Sequence, residues 1–161
     1  MRNHKRIILV GKAASGKDHL RKRFESRGFK YAVTYTTRPP REGEIEGKDY
    51  LFITDEEATK MVESNMFYEH VYFNGWLYGT SVEQFYNNDL FIMTPAGISY
   101  IKPEDRTSSF IIYTDIDMSV REFRLSKRDM PGDTLTRRIE ADELDFMDFN
   151  DYDLRITNED F

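Results

Sequence analysis

At 161 residues, with a formal net charge of −6, 39% apolar residues and no cysteine, the sequence describes one globular domain rather than a disordered chain. The negative charge argues against a nucleic-acid partner, the missing cysteine excludes disulfides and thiolate metal sites, and no run of about 20 apolar residues predicts a membrane span. Because no secretion signal precedes the first strand-like segment, we expect a cytoplasmic protein.

The chain opens with a predicted strand, loop and helix. Residues 6–10, RIILV, are apolar and β-branched, which is typical of a buried parallel strand. The phosphate loop, GKAASGKD at 11–18, matches the pattern G-x-x-x-x-G-K, and a helix is predicted over 17–27 with Gly28 as its stop. Backbone N–H groups of such a loop bind phosphate, and Lys17 would reach the β- and γ-phosphates. The alternative is a small-residue turn with a surface lysine.

Strands and helices alternate along the rest of the chain. Further strand-like runs cover 29–35, 50–53, 89–94, 109–114 and 154–157. Capping boxes that predict helix starts pair Thr54 with Glu57, Ser81 with Gln84, and Ser119 with Glu122. This alternation predicts an α/β domain with a mainly parallel sheet.

Two turn-rich segments, 36–49 and 128–134, interrupt the alternation of strands and helices. Basic and acidic residues are also unevenly distributed over the last part of the chain. Residues 119–138 carry six bases and three acids, which suits an anionic ligand. Residues 140–161 carry nine acids and one arginine, and we expect them to form a solvated surface.

The turn-rich segment 36–49 carries a candidate phosphate clamp. Arg38 and Arg41 flank Pro39 and Pro40, and Tyr50 follows. Guanidinium groups make paired, charge-assisted bonds to phosphate, and prolines reduce the entropy lost on binding. A charged, exposed loop with incidental arginines is the alternative.

Residues 34–52, TYTTRPPREGEIEGKDYLF, resemble the guanylate kinase signature S-x-T-T-R-x-P-R-x-G-E-x-x-G-x-D-Y-x-F. Glu69 precedes a YGTS sequence at 78–81, and basic residues at 124–138 resemble that family's lid. The chain is therefore similar to a short, divergent guanylate kinase. The resemblance implies a P-loop parallel-sheet core (1–33, 86–118 and 139–161), an inserted GMP-binding subdomain (34–85) and a helical lid (119–138).

The resemblance also implies a reaction, in which ATP phosphorylates GMP or dGMP with Mg²⁺ as the cofactor, and it implies roles for individual residues. The implied ATP-binding residues are Gly11, Ala13, Ala14, Ser15, Gly16, Lys17 and Asp18. The implied GMP-binding residues are Thr34, Arg38, Arg41, Tyr50, Glu69, Tyr78, Thr80 and Ser81. The implied catalytic residues are Lys17, Arg38, Arg128 and Arg138, with Arg124 and Arg137 as helpers. The three histidines, His4, His19 and His70, are expected to be surface or packing residues.

Three departures from the family pattern affect this interpretation. Asp18 replaces a Ser or Thr, Thr94 replaces the aspartate of a D-x-x-G motif, and the sequence stops at 161, where the family continues into a final helix. Our hypothesis is an exchange, in which Asp18 takes over part of the Mg²⁺ binding and Thr94 has a lesser polar role.

The competing hypothesis is that Asp18 repels the nucleotide phosphates, which would leave a weak or inactive kinase. Two further alternatives remain open at this point. One is a module that binds nucleotides or phosphopeptides without catalysis, and the other is a related kinase with altered nucleotide specificity, since Thr94 removes a carboxylate near the guanine amino group.

Overall fold

The computed structural model describes residues 5–130 and 132–161, so His4, the first four residues of the predicted core and residue 131 of the predicted lid lie outside the described residues. The strands are β1 (Arg6–Gly11), β2 (Tyr35–Thr36), β3 (Leu51–Phe52), β4 (Phe67–Phe73), β5 (Trp76–Ser81), β6 (Leu90–Ile92), β7 (Ser109–Thr114) and β8 (Leu154–Ile156). The helices are α1 (Lys17–Glu25), α2 (Asp55–Glu63), α3 (Val82–Asn87), α4 (Pro95–Ile98), α5 (Pro103–Arg106), α6 (Met118–Leu125) and α7 (Leu135–Asp145). The predicted α/β class is confirmed.

The main sheet has the order β6-β1-β7-β8, and all its strands are parallel. Ile8, Leu9 and Val10 of β1 are fully buried, because a parallel sheet is covered on both faces. Each such side chain contributes about 1.5–3 kcal/mol when it leaves water. β1 ends at Gly11, which pairs with Thr114, so the phosphate loop starts at the carboxyl edge of this sheet. Ligands of open α/β folds bind at that edge.

The second sheet, ordered β3-β2-β5-β4, lies within residues 35–81 and includes a hairpin that the sequence interpretation missed. β4 and β5 pair antiparallel across a turn at Asn74 and Gly75, whose φ values are 52° and 78°. An Asn-Gly pair is the preferred sequence for such a turn, because both residues tolerate positive φ. The hairpin matters here because β4 carries Glu69 and β5 carries Tyr78 and Thr80.

Two local predictions are wrong. Residues 29–35 do not form a strand: Tyr31 makes one isolated bridge to Leu90, and only Tyr35 and Thr36 join a sheet, because the chain here crosses from the main sheet to the second sheet. Ser119 does not cap α6. The Asp117 carboxylate accepts a hydrogen bond from the Ser119 N–H at 2.8 Å, so the helix begins at Met118.

The remaining helix signals agree with the structure. α1 ends at Glu25, and Gly28 follows with a φ of 93°. The capping boxes at Thr54 and Ser81 are both present. α7 runs across the boundary predicted between lid and core at 138/139. Over residues 5–130 and 132–161, none of the helices combines the length and apolarity that a membrane crossing requires.

Replacing Thr54 with alanine should lower the free energy of unfolding by about 1 kcal/mol, because the Thr54 hydroxyl accepts the Glu57 N–H at 3.1 Å and α2 would lose this cap. Urea unfolding of both proteins measures the difference. Thr59→Ala is the matched control, since Thr59 lies in the same helix and its hydroxyl bonds back to the Asp55 carbonyl. Equal losses in the two variants would contradict the assignment of Thr54 as the cap.

Candidate active site

A cavity of about 940 Å³ opens between the phosphate loop, the second sheet and α7. Most of the residues singled out in the sequence line it, namely Gly11, Ala13, Ala14, Ser15, Gly16, Lys17, Asp18, Thr34, Arg38, Arg41, Tyr50, Glu69, Tyr78, Thr94, Arg124, Arg128 and Arg138. Three are not among the lining residues: Thr80, Ser81 and Arg137. Motifs that are far apart in sequence therefore converge on one space, which we call the central cavity.

The phosphate loop has the turn that anion binding requires. Ala14 and Gly16 adopt positive φ values of 60° and 91°, and α1 begins directly after Gly16. A Cβ atom at Gly11 would lie 2.1 Å from the Thr114 hydroxyl oxygen, so this close approach needs glycine. The N-terminal end of α1 and the loop N–H groups together favour a negatively charged ligand.

Lys17 points back onto its own loop. Its Nζ donates to the carbonyls of Gly11 at 2.5 Å and Lys12 at 3.0 Å. Burial lowers the pKa of Lys17 to about 8, the nearby Asp142 carboxylate opposes that shift, and the cations Arg138 and Arg128 add to it. A bound phosphate group would favour the charged form of Lys17, because it would place negative charge next to Lys17, Arg128 and Arg138.

Asp142 is a member of the site that the sequence interpretation missed. The acidic segment 140–161 was expected to be a solvated surface, yet Asp142 is only 4% exposed. Its Oδ2 accepts the Ala13 N–H of the phosphate loop at 2.8 Å and lies 3.8 Å from Nη1 of the buried Arg121. Asp142 follows Arg138 by four residues, and this spacing places both on one face of α7, which is the signal that was available in the sequence.

The predicted phosphate clamp is built from the buried Arg38 and the partly buried Arg41. Arg38 is 3% exposed and donates from Nη2 to both Glu44 carboxylate oxygens, at 2.8 and 3.0 Å, while its guanidinium lies 5.1 Å from the Tyr50 ring centre. Glu44 also accepts the Arg41 backbone N–H at 2.8 Å. Glu44, which was not predicted, thus holds the turn that carries both arginines.

Arg41 is the less satisfied of the two arginines. Its Nε is buried and has no hydrogen-bond partner among the residues that the structure describes. Burial, followed by the repulsion of Arg38, lowers the pKa of Arg41. An unpaired, buried donor next to a second cation is costly unless an anion completes it. The arrangement is therefore suited to a phosphate group.

Glu69 faces the central cavity from β4 and is only 5% exposed. Its Oε1 accepts the Thr80 hydroxyl at 2.7 Å, so Thr80 contacts Glu69 rather than lining the cavity. Burial raises the pKa of Glu69 to about 7, and the hydrogen bonds from Thr80 limit that shift. Ser81 has a structural contact, since its hydroxyl accepts the Gln84 N–H at the start of α3.

The basic residues of the predicted lid are divided between the cavity and other contacts. Arg138 lines the cavity with its guanidinium 4.4 Å from the Phe73 ring centre, and the exposed Arg128 also lines it. Arg124 donates to the Ala14 carbonyl at 3.0 Å. Arg137 instead forms two hydrogen bonds to the Asp133 carboxylate.

Two of the three departures from the family pattern, Asp18 and Thr94, lie in different surroundings. Asp18 is 67% exposed, and its Oδ1 accepts from Arg21 Nε at 3.1 Å. Thr94 accepts the Gly97 N–H at 3.0 Å, at the start of α4 and close to Glu69. Residues 5–130 and 132–161 contain no group of three or more His, Asp or Glu side chains suited to a metal ion. A magnesium ion held mainly by nucleotide phosphates, with one carboxylate from Asp18, fits this donor set.

Two of the three histidines, His19 and His70, lie within the described residues. His19 is exposed, although it lies at the rim of the cavity, 6.2 Å from the Phe161 ring centre. His70 is partly buried and packs 5.6 Å from the ring centre of Phe67. Neither side chain is needed to complete the arrangement of cations around the phosphate loop.

Comparisons with known proteins agree with this geometry. The family model for guanylate kinase matches residues 3–90. The chain is similar to guanylate kinase of Sus scrofa, at 31% identity over 95% of this chain and 84% of that protein, and to guanylate kinase of Homo sapiens, at 34% identity over 86% and 76%. The crystal structure of guanylate kinase from Anaplasma phagocytophilum, 21% identical, has the same fold, with a TM-score of 0.74 over 99% of this chain and 79% of that one. The chain therefore belongs to the guanylate kinase family and is a guanylate kinase-like nucleoside monophosphate kinase.

Proposed function

We propose that this kinase transfers the γ-phosphoryl group of ATP to GMP or dGMP, with Mg²⁺ as its cofactor, giving ADP and GDP or dGDP. One observation carries the proposal: the buried Glu69 carboxylate, the buried Arg38 guanidinium and the partly buried Arg41 line the same cavity as the phosphate loop. Relatives named guanylate kinase support the same assignment.

Glu69 would select the base of the acceptor nucleotide. Its carboxylate can accept hydrogen bonds from guanine N1–H and the 2-amino group, and Thr34 can donate its hydroxyl hydrogen to O6. Adenine has neither donor at those positions, so an adenine nucleotide would leave the buried carboxylate without a partner on the base. Thr80 supports this role by fixing Oε1, rather than by touching the base.

Arg38, Arg41, Tyr50 and Tyr78 would hold the acceptor phosphate. Arg41 offers a buried Nε without a partner among the described residues, and Glu44 holds Arg38 in place against Tyr50. Fixing the acceptor in this way places its phosphate oxygen for attack on the γ-phosphorus, while the bond from that phosphorus to the β–γ bridging oxygen breaks.

Lys17, Arg128 and Arg138 would neutralise the charge on the transferring group. Lys17 would leave the carbonyls of Gly11 and Lys12 and donate to the donor phosphates, and the two arginines would approach from the lid side of the cavity. The Asp18 carboxylate would hold Mg²⁺, which when bound would supply positive charge that offsets the negative charge of the nucleotide phosphates. Closure of the lid would exclude water from the γ-phosphate.

A coupled assay of ADP release from MgATP tests the proposal, with GMP, dGMP, AMP and no acceptor. We expect turnover with GMP or dGMP that exceeds turnover with AMP by at least about 10²-fold, since the site is built to bond the guanine donors. Calorimetric titration accompanies the assay. Tight GMP binding without ATP binding would replace the proposal with a binding module, and turnover only with another acceptor would replace it with a kinase of different specificity.

Replacing Arg41 with methionine should raise the KM for GMP by about 10- to 100-fold, with a smaller effect on kcat. The reason is that a charge-assisted hydrogen bond contributes about 1.5–3 kcal/mol. Steady-state kinetics at saturating ATP measures the effect. Arg27→Met, at an exposed position outside the cavity, is the matched control. An unchanged KM for GMP in Arg41→Met would show that the acceptor phosphate lies elsewhere.

Replacing Asp18 with serine should raise the Mg²⁺ concentration needed for half-maximal turnover by several-fold, because a carboxylate ligand is lost. Glu25→Gln is a matched control, since Glu25 is also a partner of Arg21, at 2.7 Å from Nη1, and lies outside the cavity. Unchanged or improved activity of Asp18→Ser at low Mg²⁺ would rule out Asp18 as a ligand and would favour the hypothesis that Asp18 repels phosphate.

A further inference from the structure

Gly97 lies on α4 directly beside Glu69, which lines the central cavity, and none of the proposed nucleotide contacts involves Gly97. We infer that Gly97 determines specificity by leaving empty the space that the Glu69 carboxylate needs, which fixes the position from which the purine edge is read. The inference rests on the proposed function, because it takes Glu69 as the group that binds guanine.

The contact between the two residues is unusually close. A Cβ atom built on Gly97 would lie 2.7 Å from Glu69 Oε2, 3.3 Å from Glu69 Cδ and 3.4 Å from the Thr94 hydroxyl oxygen. Gly97 is itself buried. Carbon and oxygen atoms at 2.7 Å repel each other strongly, so any side chain at this position must displace either Glu69 or α4.

Glu69 has little freedom to move away. Its Oε1 is bonded to the Thr80 hydroxyl at 2.7 Å, and Glu69 and Thr80 are directly paired in the β4–β5 ladder. The register shifts between Phe67 and Glu69, which is the mark of a β-bulge. A bulge re-aims the side chain that follows it, and here it directs the carboxylate towards α4.

The α4 turn is also held in place. The Thr94 hydroxyl accepts the Gly97 N–H at 3.0 Å, Pro95 fixes the first helical residue, and Ile98 is 3% exposed within the main core cluster. The turn therefore cannot shift outwards without breaking a cap and opening the core.

The backbone conformation at position 97 does not require a glycine. The φ angle of Gly97 lies outside the left-handed region, so an alanine would adopt the same conformation without strain. In a helix, alanine is favoured over glycine by about 1 kcal/mol. The space occupied by the Glu69 carboxylate is thus the feature that accounts for a residue without a side chain.

Gly97→Ala tests the inference. We expect the Kd for GMP, measured by calorimetry, to rise tenfold or more and the ratio of kcat/KM between GMP and AMP to fall, because a displacement approaching 1 Å at a binding group costs about 10²-fold. The KM for ATP and the melting temperature should stay close to those of the wild type. Ala96→Ser, which adds one atom to the exposed side of the same turn, is the control and should leave all four quantities unchanged.

A second comparison isolates the contact with Glu69. Glu69→Asp shortens the carboxylate and vacates the space beside Gly97, so adding Gly97→Ala to Glu69→Asp should change GMP binding by less than threefold. The inference would be overturned if Gly97→Ala weakened GMP binding equally in the wild type and in Glu69→Asp, or if Gly97→Ala had no effect on GMP binding. If Gly97→Ala alone fails to fold, folding of the double variant Gly97→Ala/Glu69→Asp would support the contact between the two residues. If both Gly97→Ala and the double variant fail to fold, Gly97 would serve packing only and the inference would be overturned.

The wild-type measurements separate this inference from the proposed function. Absence of GMP binding by the wild type would overturn both. Normal phosphorylation of GMP by the wild type together with unchanged GMP selectivity in Gly97→Ala would overturn only the role of Gly97.

Discussion

Glu69→Gln should lower kcat/KM for GMP by about 10²- to 10³-fold and bring it close to the value for AMP, while the KM for ATP stays the same. A neutral amide can accept only one of the two guanine donors with its oxygen and turns an N–H group towards the other. Each hydrogen bond to a charged group contributes about 1.5–3 kcal/mol, so losing one of these bonds together with the charge that strengthens the other gives a change of this size. Steady-state kinetics with GMP, dGMP and AMP measures it.

The same substitution should make the protein more stable at neutral to alkaline pH. Burial raises the pKa of Glu69 from 4.5 to about 7, so the folded protein holds a proton that the unfolded chain releases between these two pH values. The free energy of unfolding therefore falls as pH rises from about 4.5 to 7, and above pH 7 the buried charge costs about 3 kcal/mol, at 1.36 kcal/mol per pKa unit. Glutamine carries no charge and removes this cost.

Urea unfolding at pH 5 and pH 8 checks this second effect. The variant should gain stability relative to the wild type at pH 8 and little at pH 5. Glu63→Gln, at an exposed position on α2, is the matched control and should show no pH-dependent difference. A variant that keeps its selectivity for GMP, whatever its stability, would contradict the assignment of Glu69 as the base-reading group.

Local signals in the sequence located most of the elements, and the failures have identifiable causes. The run RIILV and the capping boxes at Thr54 and Ser81 depend on neighbouring residues, so the sequence reports them directly. The hairpin was missed because the strand FYEHVYF lacks a strict alternation of apolar and polar residues, although the Asn-Gly turn was visible. Residues 29–35 have strand-like composition, but the chain there passes between two sheets, which is a property of the tertiary structure.

The residues of the candidate site also fall into those that short sequence motifs predict and those that only the tertiary structure brings together. The phosphate loop and the two clamp arginines belong to short motifs whose spacing sets their geometry. Asp142 contacts the Ala13 N–H across 129 positions of sequence, and Gly97 approaches Glu69 from a different element. The spacing of Arg138 and Asp142 indicates a shared helix face, but it does not identify the contact with Ala13, because such contacts depend on how α7 and α4 pack against parts of the chain that are distant in sequence.

Lys17→Met should lower kcat by about 10²- to 10³-fold, with little change in GMP binding. Lys17 is the phosphate-loop lysine that lines the cavity, and removing one preorganised donor from a phosphoryl-transfer site has an effect of this size. Its lowered pKa, about 8, adds a second signature. The cationic fraction of Lys17 falls above pH 8, so kcat/KM for ATP in the wild type should decline there, and this decline should be absent in the variant.

Lys12→Met is the matched control for Lys17→Met, because Lys12 lies in the same loop and bears the same charge, but its Nζ pairs with Glu143 at 2.7 Å outside the set of residues that line the cavity. A loss of net charge or a general loosening of the loop would affect both variants equally. A specific role for Lys17 requires that Lys12→Met keep kcat within a few-fold of the wild type. Comparable losses in the two variants would assign the effect to the loop as a whole, and an active Lys17→Met would exclude Lys17 as the group that neutralises the transferring phosphate.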